Sequence, residues 1–112
     1  MTKTRAELIN RALQELRVVA SGQPAAAEDA AFVDTEIDAV MADLAARAIY
    51  YWGDDNEIPD EAFSHLGVLV AMACAGAFGQ SPDEGRRLLA EQRLRNLTLY
   101  SLSGQRQTAE YF

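Results

Sequence analysis

Few residues in this 112-residue chain could do chemistry. Its only histidine, His65, follows Glu61 by four residues, so the two side chains share one face of a helix. Such a pair could begin a metal site or act as an acid–base pair. A metal site needs at least a third ligand, and a general base needs a nucleophile and a pocket, but the sequence indicates neither. A metal-dependent enzyme using both residues is therefore only our third hypothesis, and we expect His65 to cap a helix or lie at the edge of the core.

The acidic stretch "GDDNEIPDE", residues 53–61, suggests calcium because it is rich in oxygen ligands. Its spacing lacks the alternating oxygens, central glycine and distal bidentate glutamate of a calcium loop. Pro59 followed by Asp60 and Glu61 is instead typical of a helix start, where a proline and negative charges are favourable. We predict a helix start here, with no metal and no other cofactor.

Cys74 is the only cysteine, which excludes an internal disulfide framework and favours a reducing compartment. It lies in an apolar run, so we expect an inert core residue. The sequence has no glycine-rich phosphate loop, no Cys-x-x-Cys motif, and no serine or cysteine in a strained-turn context. We predict that the chain is not an enzyme.

Charge is distributed unevenly along the chain, whose formal net charge is −7. Between Ala20 and His65 there are eleven acidic residues and one basic residue, Arg47, whereas the bases cluster near both ends. Oppositely charged faces can attract neighbouring copies, and a solvated acidic face without a partner is the alternative. The only lysine is Lys3, so a DNA-wrapping surface is not expected.

Membrane and export signals are not expected. The N-terminus "MTKTRAELIN" is polar, unlike a signal peptide. The apolar run from Leu66 to Phe78 is shorter than the ~18 residues that a membrane span needs. We therefore expect a soluble protein that does not contact a membrane.

Helical patterns account for most of the chain. Apolar residues recur at helical spacing, Thr4 and Glu7 form a capping box, and Ser81, Pro82 and Glu84 are typical of another helix start. We predict a single all-α domain over residues 1–102, a four-helix bundle-like fold with helices at about 4–20, 25–52, 59–78 and 82–101. The second helix is the long one, and strands are not expected.

The third predicted helix is apolar on nearly every side, so it must be covered all round. Either it is the central helix of a monomer, or part of its surface is buried against another subunit; both alternatives stay open. For the second alternative, we predict the subunit-packing residues to be Phe63, Leu66, Val70, Tyr50 and Trp52.

Two stretches together resemble a known family. They are "TKTRAELINRALQELRV" and "IDAVMADLAARAIYYWGDDNEIPDEAFSHLGVLVAMACAGAFG", in which a long helix ends in aromatics and an acidic turn, followed by "IPDEAF" and a small-residue helix. This order of pieces resembles the head-to-tail adaptor proteins of tailed bacteriophages, also called connector, head-completion or tail accessory proteins. The resemblance spans roughly residues 1 to 100.

The resemblance implies a function. The family's members are small helical proteins that form a dodecameric ring below the portal, extend the channel for double-stranded DNA and carry the next tail component. The implied partners are other copies of the chain, the portal protein, a downstream tail or stopper protein, and DNA that passes without specific binding. The implied location is the virion head–tail junction, reached from the host cytoplasm during assembly.

The polar C-terminal segment, residues 103–112, also gains a role from the resemblance. It implies an extended tail that docks on the portal; a tail folded back on its own bundle is the alternative. The portal-contacting residues would be Gln105, Arg106, Gln107, Thr108, Tyr111 and Phe112. The second functional hypothesis is a small cytoplasmic helical interaction module, such as an antitoxin or regulatory subunit.

Overall fold

Four helices make up the protein, and the all-α bundle-like prediction is confirmed. The fold is that of a computed structural model, which describes residues 2–18, 26–51 and 56–110, with side chains as far as Thr98. In chain order, the elements are β1 (Thr2–Lys3), α1 (Arg5–Glu15), α2 (Ala27–Ala46), β2 (Ile58–Pro59), α3 (Asp60–Cys74), a 3₁₀ helix (Ala75–Phe78) and α4 (Glu84–Glu110).

The third helix, α3, is the centre of the fold. It packs against α1, α2 and α4. Seven of its fifteen residues are buried: Ala62, Leu66, Gly67, Leu69, Val70, Ala71 and Cys74. Five more are half-buried, so the core of one chain covers most positions of this apolar helix at least in part, as in the monomer alternative. The segment Asp60–Phe78 is apolar and long enough to cross a membrane, with a mean hydropathy of 1.5, and the same composition is common in the core helix of a bundle.

A minimal antiparallel pairing, which the sequence does not predict, ties the N-terminus to the start of α3. Thr2 pairs with Pro59, and Lys3 pairs with Ile58. Ile58 is fully buried. At the adjoining start of α1, Thr4 and Glu7 form the predicted capping box, with 3.2 Å from the Glu7 amide to Thr4 Oγ1. These contacts fix α1 beside α3.

Both α1 and α2 end earlier than predicted, at Glu15 and Ala46. Each is closed by a residue in the left-handed conformation, Arg17 at φ 61° and Ala48 at φ 55°. The following amides reach back five residues, from Val18 to the Leu13 carbonyl and from Ile49 to the Leu44 carbonyl. This is the Schellman arrangement, which usually has glycine at the left-handed position. Gly22 and Gly53, the glycines that follow the predicted ends of these two helices, lie outside the described residues.

The last helix, α4, is longer than predicted. It continues to Glu110, whereas the sequence predicts an extended segment from residue 103. Gly104 disfavours helix most in this segment, by ~1 kcal/mol, whereas the glutamines, Arg106, Ala109 and Glu110 are all good helix formers. A single glycine does not end the helix.

Candidate interaction surfaces

Among the described residues, the Glu61–His65 pair does not gain a third metal ligand. Both residues lie on the first two turns of α3, where His65 is half-buried. Burial lowers the pKa of His65, and the positive charge of Arg93 on α4 lowers it further. Within residues 2–18, 26–51 and 56–110, no group of three or more His, Cys, Asp or Glu side chains could hold a metal ion. The imidazole is thus a neutral group at the α3–α4 contact.

Cys74 lies in the core, as predicted, and its side chain is buried. Burial raises the pKa of the thiol to about 11, with a further contribution from the negative charge of Glu36. The thiol is therefore protonated at neutral pH, and the reactive thiolate is scarce.

A groove of about 170 Å³ lies between α2, α3 and α4. Its floor is apolar, and its rim is a continuous chain of ion pairs. Arg47 Nη2 lies 2.8 Å from Asp43 Oδ2 and 2.8 Å from Glu91 Oε2. Arg87 then binds Glu91 at 2.6 Å and Glu84 at 2.7 Å. Each charged side chain that the structure describes on this rim is already ion-paired, so none of them is left unpaired to bind a small ion.

Glu91 is the centre of that chain, because its side chain is only 10% exposed. Hydrogen bonds from Arg47 lower the pKa of Glu91 and outweigh its burial, which would raise it. The carboxylate joins the end of α2 to α4. The ion pairs that Glu91 forms with Arg47 and Arg87 therefore have a structural role.

Other acidic residues of α2 pair with the first helix. Arg5 Nε lies 2.5 Å from Asp34 Oδ1, and Arg5 Nη2 lies 3.0 Å from Asp38 Oδ1. Arg86 of α4 lies 2.6 Å from Glu15 of α1. Part of the charge segregation along the sequence is therefore neutralised inside one chain.

The predicted subunit-packing residues fall into three groups. Leu66 and Val70 are fully buried, so they offer no surface to a second subunit, and this part of the prediction is corrected. Their burial follows from the central position of α3. Phe63 and Tyr50 are half-buried and pack against the edge of the core. Trp52 lies outside the described residues.

Three large apolar side chains are prominently exposed in the described part of the chain. Tyr51 is 76% exposed, and Leu88 and Leu89 are each 56% exposed. The apolar spacing in the sequence predicts a stripe on α4 that includes Leu89, Ala90, Leu94 and Leu97, and it places Tyr51 in the stripe of α2. Ala90 and Leu94 do face the core, with Leu97 packed against it, whereas Leu89 and Tyr51 do not. Ala90, Leu94 and Leu97 are spaced by four and three residues, as the buried face of a helix is, and this spacing could have identified them as the core stripe. Leu89 lies one residue before Ala90, so it points about 100° away round the helix.

The predicted portal-contacting residues lie at the end of α4. Gln105, Arg106, Gln107 and Thr108 belong to the helix rather than to an extended tail. Tyr111 and Phe112 lie outside the described residues.

Comparison with known proteins identifies no relative. No protein-family model, curated protein or solved structure matches the chain.

Proposed function

We propose that this chain is a structural virion protein, a head-to-tail adaptor that forms a ring below the portal of a tailed bacteriophage. In this role it extends the DNA channel and provides the platform for tail attachment. The two stretches that carry the resemblance lie on α1, α2 and α3, with the acidic turn between α2 and α3. The stretches that carry the resemblance therefore form helices that pack against one another in the fold.

The observation that carries the proposal is the length of α4. The chain turns back after the 3₁₀ helix, so α4 runs along α3 with Arg93 near His65. At about 1.5 Å per residue, the 15 residues of α3 span roughly 22 Å, whereas the 27 residues of α4 span roughly 40 Å.

Beyond Thr98, α4 continues for twelve residues, to Glu110. Thr98 Oγ1 donates a hydrogen bond of 3.0 Å to the Ile49 carbonyl, so α4 contacts the end of α2 at Thr98. The remaining segment adds about 18 Å of helix at 1.5 Å per residue. It contains four of the six residues that the resemblance assigns to portal docking, Gln105, Arg106, Gln107 and Thr108. A helical arm of this kind suits a protein that must reach a larger assembly.

The decisive experiment is imaging of intact particles together with a truncation. We expect the full chain to give ring density below the portal and to decorate portal-filled capsids. Deleting residues 103–112 should abolish this docking, because it removes the arm. Arg17→Ala is a matched control at an exposed arginine on the end of α1, and it should dock normally. If the truncated chain docked as well as the full chain, the arm would not be the docking element. If intact particles did not contain the protein, the proposed function would be wrong.

The alternative, a small helical interaction module such as an antitoxin or regulatory subunit, is favoured by one observation. The core that buries α3 is complete within one chain, so the fold does not require a ring for its stability. This alternative predicts a stable complex with a single protein partner in the cytoplasm, away from capsids. Pull-down from infected and uninfected cells distinguishes the two proposals, since the adaptor should appear only with portal protein.

A further inference from the structure

We infer that one copy of this chain docks on the next through two different surfaces, the exposed leucines of α4 and an apolar cavity on α2. The choice of a second copy as the occupant rests on the proposed function, and the two surfaces themselves come from the geometry.

The donor surface is the outer ridge of α4. Leu88 and Leu89 are each 56% exposed, side by side. Arg93 and Arg95 follow within two turns, and both are exposed. Neither arginine forms an ion pair within the described residues, unlike Arg86 and Arg87 on the same helix. The ridge is thus an apolar knob accompanied by two available positive charges.

The acceptor surface is a cavity of about 260 Å³ on α2, at whose edge Tyr51 is 76% exposed. Its described lining is Met41, Ala42, Ala45 and Tyr51. The small alanine side chains leave room for branched side chains from outside, and two leucines are of suitable size and polarity. A single leucine side chain that becomes buried contributes roughly 1.5–3 kcal/mol.

Charge complements the apolar fit. Asp38 precedes Ala42 by one helical turn, and its side chain is 70% exposed. Asp38 and Asp34 share one arginine, Arg5, so this side of α2 keeps a net negative charge. The free arginines of the donor ridge would meet it, which favours this partner over a neutral one.

The two surfaces are both turned away from the place where α2 and α4 meet. The Arg47–Glu91 ion pair marks where α2 and α4 face each other. Ala45 precedes Arg47 by two residues, and Leu89 precedes Glu91 by two, so each is about 200° round its helix from the ion pair. A contact between different surfaces is heterologous, and repeated copies of such a contact close into a ring or extend as a filament.

Site-directed cross-linking tests this contact. We expect Ala45→Cys and Leu89→Cys chains, mixed at high protein concentration, to form a covalent dimer with a bis-maleimide linker. Neither variant alone should do so, because equivalent surfaces do not meet. Both positions are exposed, and the buried Cys74 should leave the wild type unlinked. A chain with both substitutions should give a ladder of dimers, trimers and larger species.

Ala6→Cys, at an exposed position of α1, is the control partner for Leu89→Cys and should give no mixed dimer. Charge reversal at Arg93 and Arg95, or salt raised to roughly 0.5 M, should reduce the yield of the productive pair, because the charges are exposed and screened.

The inference is overturned by no cross-linking, by equal linking to the Ala6→Cys control, or by dimers of either single variant. Dimers of a single variant would indicate a symmetric contact between copies. No cross-linking would mean that a different protein, and not a second copy, occupies the cavity. Ring density in particles without this cross-link would keep the proposed function but not these surfaces. Cross-linking without density below the portal would keep the surfaces and remove the proposed function.

Discussion

At the scale of single residues, Glu91 matters most for stability. Its carboxylate is nearly buried and accepts hydrogen bonds from Arg47 and Arg87. Removing it leaves two arginines without their shared partner on the rim of the groove. Glu91→Gln should therefore lower the free energy of unfolding by about 1–2 kcal/mol at pH 7, measured by urea denaturation.

The effect of Glu91→Gln should also depend on pH. The pKa of Glu91 is lower in the folded state than in the unfolded chain, so its contribution is complete above the unfolded value. It is lost as pH falls through the folded pKa. The stability difference between wild type and variant should therefore shrink in acid. Glu57→Gln, at an exposed carboxylate in the loop before β2, is the control and should change stability little. A Glu91→Gln difference that is constant down to pH 2 would contradict the assignment.

Ala48 is a second residue with a measurable role. It adopts a left-handed conformation, which disfavours side chains with a Cβ by ~1–2 kcal/mol, partly offset by the flexibility of glycine in the unfolded chain. Ala48→Gly should thus stabilise the protein by up to about 1 kcal/mol. The matched control, Ala39→Gly on the exposed face of α2, should destabilise it by about 1 kcal/mol. Thermal unfolding of both variants checks the sign, and destabilisation by Ala48→Gly would refute this account.

At the scale of elements, the α1–α3 contact depends on a glycine. A Cβ on Gly67 would lie 2.8 Å from Arg11 Cγ, which is near the base of that side chain and cannot easily move aside. Gly67→Ala should destabilise the protein despite the better helix propensity of alanine, which is worth ~1 kcal/mol.

In an Arg11→Ala background the obstruction is gone, and Gly67→Ala should then stabilise the protein by up to about 1 kcal/mol. Urea denaturation of the two single variants and the double variant measures this change of sign. The same effect of Gly67→Ala in both backgrounds would show that Arg11 is not what restricts this position.

Helix existence could be predicted from the sequence, but helix ends could not. The four helices follow from apolar periodicity, and the α1 start follows from its capping box. The ends of α1 and α2 were missed because Arg17 and Ala48 replace the glycine that usually marks such a cap. A usable signal was the apolar pair five residues apart at each end, Leu13 with Val18 and Leu44 with Ile49, which accompanies this cap.

The exposed surfaces were harder to predict. The early end of α2 puts Ile49 in the core and leaves Tyr51 exposed, so the error in the helix end carried over to the apolar stripe. Likewise, whether α3 is covered by its own chain depends on how three helices pack around it. The amino-acid composition of α3 would be the same in a monomer and in a subunit whose α3 packs against a neighbour. Only the tertiary arrangement distinguishes these two alternatives.

At the scale of the whole molecule, the fold should be separable from the arm. Leu94 is fully buried and Leu97 packs against the core, so α4 is part of the bundle as far as these residues. A chain ending at residue 102 keeps both leucines. It should unfold cooperatively with a midpoint close to that of the full chain, and it should lose only the circular dichroism signal of the removed helical residues.

A chain ending at residue 93 is the matched comparison, because it removes Leu94, Leu97 and the Thr98 hydrogen bond to the α2 end. The loss of one fully buried leucine side chain alone costs about 2–5 kcal/mol. This shorter chain should therefore be unfolded or strongly destabilised in the same experiment. If the chain ending at residue 102 were equally destabilised, the last ten residues would belong to the folded body. The assignment of this segment to a partner would then have to be abandoned.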